Sequence, residues 1–218
     1  MGESRSERRG SYAKGVAKRE EILERALEVV AREGIRGASV RELADAVGLS
    51  QAGLLHYFDS KEELFTEILR KRDEVDYADS GLADDLERLR TAPEDVTVDQ
   101  LRRGLVGVVR HNAQVPGLVQ LFARLSVDAA DPSHPAHRFF VERGTTLRAV
   151  VAQTIARHQA DGDITDRVDP DTLARLLQAV VDGLQVQWML EPDVDMAATT
   201  AALFDLFAGS GSGTEPVR

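Results

Sequence analysis

Between Ser39 and Phe65 the chain starts a helix, stops it and starts again within a few residues. That punctuation narrows the fold more than any other feature. Ser39 followed by Glu42 forms a capping box ahead of an apolar pattern. Val40, Leu43, Ala44 and Val47 then share one face of a short helix, and Gly48 ends it. Ser50 can cap the next helix, expected to run through Phe58. Ser60 and Glu63 form a second capping box, and Leu64, Phe65, Ile68 and Leu69 give the helix after it an apolar side.

Two short helices joined by a glycine turn, with a helix before and after, make a helix-turn-helix module. Its residue types answer physical needs. Gly48 permits a tight turn, and Ala44 lets the helices approach. Val40, Leu43, Val47, Leu54 and Phe58 hold them together. Ser50, Gln51, Ala52, Gly53 and His56 leave a slim polar face on the second helix, suited to the major groove. Taken alone, this pattern fits plain core packing as well as it fits DNA binding.

Elsewhere the apolar period is helical and no strand pattern stands out. Ile22, Leu23, Ala26, Leu27, Val29 and Val30 define a first helix, with Gly34 placed as its C-terminal cap. Residues 79–97 are polar and contain Pro93, which predicts a break. Helices are expected over Thr97–Val115, Leu118–Ala130 and Pro135–Ala160. Asp169 caps a helix with Pro170 in its first turn, running to about Leu190, and a last helix spans Asp193–Phe207. The expected class is all-α. The expected organisation is a flexible basic arm at 1–14, a helix-turn-helix domain at 15–60, a larger helical ligand-binding and dimerisation domain at 61–208, and a flexible tail at 209–218.

Charge is unevenly spread. The whole chain carries −10, but Met1–Arg72 holds 14 basic and 13 acidic residues and the remainder 13 and 24. A chain that touches phosphate at one end would be arranged this way, and so would an acidic protein with a basic tail. The chain contains no cysteine, which excludes disulfides and thiolate chemistry. No run of about 18 apolar residues suggests a membrane span, and Met1–Arg19 lacks a signal-peptide core, so a cytoplasmic protein is expected.

The run Val40-Arg-Glu-Leu-Ala-Asp-Ala-Val-Gly-Leu-Ser-Gln-Ala-Gly-Leu-Leu-His-Tyr-Phe-Asp-Ser-Lys-Glu-Glu-Leu-Phe resembles the DNA-binding signature of the tetracycline-repressor (TetR) family. The likeness extends from about Arg19 to Leu69. It implies a dimeric regulator, most simply a repressor, released from double-stranded operator DNA by a small-molecule effector. It also implies that Ser39 and Arg41 touch phosphates, that Gln51, Ala52 and Gly53 face base edges, and that Tyr57 and Lys61 hold the backbone. His56 suits either role. Two positions depart from the common pattern. Leu55 stands where many members have Tyr, and Gly53 where Thr is common, which puts the operator sequence in doubt. Lys61 also reads as an ordinary surface-pair residue, and Tyr57 as a core aromatic.

The same resemblance implies an effector pocket among the helices from Leu101 to Leu190. Candidate lining groups are His111, Phe122, Arg124, Phe139, Gln178, Asp182, Gln185 and Trp188, each of which also fits an ordinary core or surface position. Leu173, Leu176, Leu177, Val180, Val181, Leu184 and Val186, with Leu203, Phe204, Leu206 and Phe207, suggest a homodimer through the last two helices. No cofactor or metal is expected. His134 and His137 near Asp131 read as a surface loop, since no further His or Cys lies close. Catalytic spacings and phosphate-cradling loops do not stand out. The rival readings are a helical enzyme or binding protein for a hydrophobic molecule, and a helical interaction module.

Overall fold

The computed structural model describes residues 3–79 and 83–207, with side chains at 13–34, 38–74 and 87–207. Among them are ten α-helices and no β-strand. The helices are α1 (Glu3–Gly37), α2 (Val40–Ala46), α3 (Gln51–Leu54), α4 (Lys61–Asp79), α5 (Ala83–Thr91), α6 (Val98–Asn112), α7 (Pro116–Asp128), α8 (His137–Asp161), α9 (Pro170–Leu190) and α10 (Met196–Phe207). A 3-10 turn, Pro93–Asp95, precedes α6.

The chain divides into two compact units. One comprises Met1–Glu74 and Val115–Ala136, the other Val75–Gln114 and His137–Arg218. In the first unit, Ile22, Ala26 and Val30 of α1 are buried, as are Leu43 and Ala44 of α2, Leu54 of α3 and Leu64 and Ile68 of α4. Burying a leucine or isoleucine contributes about 1.5–3 kcal/mol, so this shared interior holds the short helices that could not persist alone. Helix α7 joins the same unit by packing along α1. Pro116 occupies its first turn, where a missing N–H costs nothing. Gly117 follows because the backbones nearly touch: a Cβ there would lie 2.0 Å from the Val30 carbonyl oxygen and 2.7 Å from the Gly34 Cα. Gly34 is itself a kink in α1, at φ 69° and ψ 177°, a conformation that excludes most side chains. The buried Arg72 guanidinium of α4 lies 5.0 Å from the centre of the Phe122 ring of α7.

The second unit is built around Val96, Leu101, Val151, Ile155, Leu173, Leu177 and Phe204, from α6, α8, α9, α10 and the turn before α6. A smaller cluster joins Val109, Val181, Leu184 and Met196. Helix α8 fixes the turn ahead of α6 through polar side chains. Thr154 Oγ1 donates to the Pro93 carbonyl at 3.0 Å, and His158 Nε2 lies 2.8 Å from the Val96 carbonyl.

Several boundaries differ from the sequence reading. The expected break at 79–97 contains α5, in which Leu89 is buried between the exposed Arg88 and Arg90. One buried stripe suffices for a helix, so polarity there concealed one. Helix α3 ends at Leu54, short of Phe58. The Tyr57 N–H bonds back to Leu54 at 3.1 Å, a tighter i→i+3 closure that leaves the helix. The segment expected as a flexible arm is helical backbone from Glu3 onward. No proline interrupts it, and once Ile22–Val30 is docked, extending the helix adds one hydrogen bond per residue. The expected tail at 209–218 lies outside the described residues.

Gly117→Ala forces the α1 and α7 backbones apart. It is expected to destabilise the protein by about 2–3 kcal/mol, read as a lowered urea midpoint at unchanged slope.

Candidate nucleic-acid interface

The caps read from sequence are formed. The Ser39 hydroxyl accepts from the Glu42 N–H at 3.3 Å, and the Glu42 carboxylate accepts from the Ser39 N–H at 2.9 Å. Hydrogen bonding from Ser39, its side chain first and its backbone second, holds the Glu42 carboxyl below the usual carboxylate range. The Ser50 hydroxyl accepts from the Gly53 N–H at 3.0 Å. At α4, Ser60 accepts from the Glu63 N–H at 3.0 Å, but the Glu63 carboxylate reaches the Asp59 N–H instead of that of Ser60. Gly48 adopts φ 68°, which the turn between α2 and α3 demands.

This scaffold decides what α3 can present. Leu54 and Phe58 face the interior, so Gln51 and Ala52 at the start of α3 face outward. Gly53 is half-buried, and a Cβ there would meet Ser50 Oγ at 3.2 Å. Ser39, Arg41, Ser50, His56 and Lys61 are all exposed and Tyr57 is half-buried. The His56 and Tyr57 rings meet edge to face with centroids 5.9 Å apart. Arg41 has only a loose partner, Asp45 at 4.0 Å. Lys61 projects beside the Phe65 ring, its Nζ 5.4 Å from the centroid. Eight of the nine sequence-selected residues therefore lie on α2, on α3 or in the turns beside them, and the ninth, Lys61, opens α4. Arg19 is different. It bonds Glu67 at 3.0 Å and lies 4.8 Å from the Phe58 ring centre, locking α1 to α4. These partners lie far along the chain, beyond any local pattern.

The candidate pocket residues are divided between the two units. Phe122 is buried and Arg124 exposed on α7, in the first unit. His111 is half-buried near the end of α6, and Phe139 is buried beside Phe140, ring centroids 5.1 Å apart. Gln178 and Asp182 do meet: Arg148 Nη1 donates to Gln178 Oε1 at 2.9 Å, and Gln178 Nε2 donates to Asp182 at 3.4 Å. Gln185 is buried and donates to the Val181 carbonyl at 3.3 Å, and Trp188 packs on the cluster around Leu184. A cavity of about 670 Å³ lies elsewhere in the second unit, among α6, α8, α9 and α10. Asp99, Arg102, Ile155, His158, Leu173 and Phe204 line it, with none of the eight candidates. His134 Nδ1 accepts from the Ala136 N–H at 3.1 Å within its loop.

Residues 22–68 match the family model of bacterial regulatory proteins, tetR family, and residues 118–209 match the C-terminal model of BetI-type transcriptional repressors. The chain belongs to the TetR family. An HTH-type transcriptional repressor of Mycobacterium tuberculosis is 29% identical over 170 residues, covering 77% of this chain and 80% of that protein. The HTH-type transcriptional repressor AcnR of Corynebacterium diphtheriae is 29% identical over 167 residues, covering 76% and 78%. A TetR transcription regulator from Haloarcula marismortui shares the fold at TM-score 0.67 and 21% identity, covering 88% of this chain and 99% of its own. As a TetR-family member the chain is a DNA-binding transcriptional regulator of all-helical fold with an N-terminal helix-turn-helix.

Because the Glu42 carboxyl sits low in the folded state, its contribution to stability is complete above the unfolded carboxylate value and is lost as pH falls through the lowered folded value. Glu42→Gln is expected to be less stable than the wild type near neutral pH. The difference should close as pH falls below the usual carboxylate range. Urea midpoints of both proteins across that range check this, with contributions from other carboxylates common to both.

Proposed function

We propose that this chain is a dimeric repressor that reads double-stranded operator DNA with α2 and α3 and leaves it when a small molecule occupies the second unit. The observation that carries the reading is the outward face of α3. Gln51 and Ala52 are exposed at a capped helix start, flanked by the exposed Arg41, His56 and Lys61. A helix N-terminus favours phosphate, and a slim polar face fits between groove walls. In this reading Ser39, Arg41, Tyr57 and Lys61 hold phosphates, and Ser50 fixes the start of α3. Gln51, Ala52 and Gly53 meet base edges, and His56 serves at the boundary. The relatives' names support repression over activation. The protein acts in the cytoplasm, where its DNA lies. No described helix is long and apolar enough to cross a membrane.

Dimerisation through α9 and α10 is supported by the large apolar side chains they leave uncovered: Leu176, Val186, Leu190 and Leu206, the last two 77% and 76% exposed. A two-fold dimer would set its reading helices about 34–36 Å apart, one helical turn of DNA. An effector that favours another separation weakens operator binding, and DNA weakens effector binding by the same factor.

Binding to a fragment of the protein's own promoter region, measured at several salt concentrations, tests the reading. Tight, sequence-selective binding that weakens steeply with salt is expected. The triple variant Gln51→Ala, Tyr57→Ala, Lys61→Ala should lose at least about 3 kcal/mol and flatten the salt slope. Selective binding that survives the triple change would move recognition off α3, and no selective binding to promoter or genome-selected fragments would overturn the reading. Leu206→Glu should leave the helical circular dichroism intact while shifting sedimentation from dimer to monomer. An unchanged dimer would place the interface elsewhere.

A further inference from the structure

Beyond DNA and effector binding, the end of α8 carries an arrangement that neither reading uses. His158 lies in the last turn of α8 with only 6% of its surface exposed. Its Nε2 is 2.8 Å from the Val96 main-chain carbonyl, which can only accept, so Nε2 carries a hydrogen. In the neutral ring that leaves a lone pair on Nδ1. Nδ1 is 2.9 Å from Asp163 Oδ2, another acceptor. Two lone pairs at that distance require a cation. Asp161 follows His158 by three residues on the same side of α8. Gly162, at φ 83°, then reverses the chain so that the Asp163 N–H bonds the His158 carbonyl at 2.9 Å. One ring nitrogen and two carboxylate oxygens thus lie within 4.8 Å of one another.

We propose that His158, Asp161 and Asp163 bind a divalent first-row metal ion of the Zn²⁺ type, a site independent of whether the chain represses. Three further observations support an ion over a simple proton-bridged pair. The distal nitrogen of His158 donates to a main-chain carbonyl, the arrangement that orients metal-binding imidazoles. The adjoining cavity is also lined by Asp99, and by Asp205 paired with Arg102 at 3.4 Å, so Asp99 tips its charge toward a cation. Asp161 is held only by Arg157, at 3.5 Å on the exposed surface, an ion pair that costs little to part. One nitrogen and two oxygens suit Zn²⁺ with a coordination position left open. The ion would bind together the end of α8, the turn after it and, through His158, the Val96 segment before α6.

Asp161→Asn is the decisive variant. A proton-bridged His158–Asp163 pair has no need of Asp161, and an ion does. Untagged, chelator-treated full-length protein is titrated with Zn²⁺ by calorimetry, alongside Asp161→Asn and Asp163→Asn, both at exposed positions. The expected result is one Zn²⁺ per wild-type chain, binding weaker by about tenfold or more in each variant, and a Zn²⁺-dependent rise in Tm that both variants lose. Absence of saturable binding overturns the proposal. Stoichiometric binding that Asp161→Asn retains in full overturns it equally, because the ion then sits at another group such as His111, His134 or His137.

Discussion

The contact between the backbones of α1 and α7 is the constraint on which the first unit depends. At Gly117 there is no room for a single carbon atom against the Val30 carbonyl. That closeness lets α7, which lies far along the chain, share an interior with α1. It also needs the kink at Gly34, because an ordinary helical residue there could not adopt a positive φ. Two glycines more than eighty residues apart therefore act as one structural element. The aromatic and guanidinium pair Phe122 and Arg72 extends the same attachment from α7 to α4.

Upon that base the helix-turn-helix is stabilised by position more than by mass. Helices α2 and α3 are too short to be stable by themselves. Serine caps satisfy their free N–H groups, Gly48 closes the turn, and Leu43, Ala44, Leu54 and Phe58 are drawn inward. With the apolar residues committed to the interior, the polar ones have only the outer face left. Arg19 stiffens the arrangement by bridging α1 to Glu67 across the Phe58 ring. Under the proposed function, a surface held this way would meet DNA with little further ordering.

The second unit uses polar side chains where the first uses close backbone contact. Thr154, His158 and Gln159 of α8 each satisfy main-chain carbonyls in neighbouring irregular segments. Buried carbonyls left without donors would be costly, so these residues fix the route of the chain around the apolar cluster. The cavity and the proposed ion site lie at that junction. The proposed ion site is thus a consequence of how α8 ends, with helical spacing setting Asp161 and Gly162 turning Asp163 beside a ring already fixed by Val96.

Local chemistry was legible in the residues alone. The capping boxes at Ser39 and Thr97, the Gly48 turn and the span of α9 from Asp169 to Leu190 are bonds between neighbours, and side-chain type decides them. Thr97 was nonetheless read only as a boundary, and α5 was taken for a break or loop because residues 79–97 are polar and hold Pro93. The nine helix-turn-helix positions could be selected because the signature that suggests them is a local run of sequence. Other assignments needed the folded chain. Arg19 became a clasp, Phe122 and Arg124 joined the first unit, and His158 was paired with Val96 62 residues away. Sequence determined which segments become helices and where most of them stop, since those bonds span a few residues. Tertiary structure decided which charges are spent internally and which groups face a cavity, because burial depends on neighbours distant in the chain.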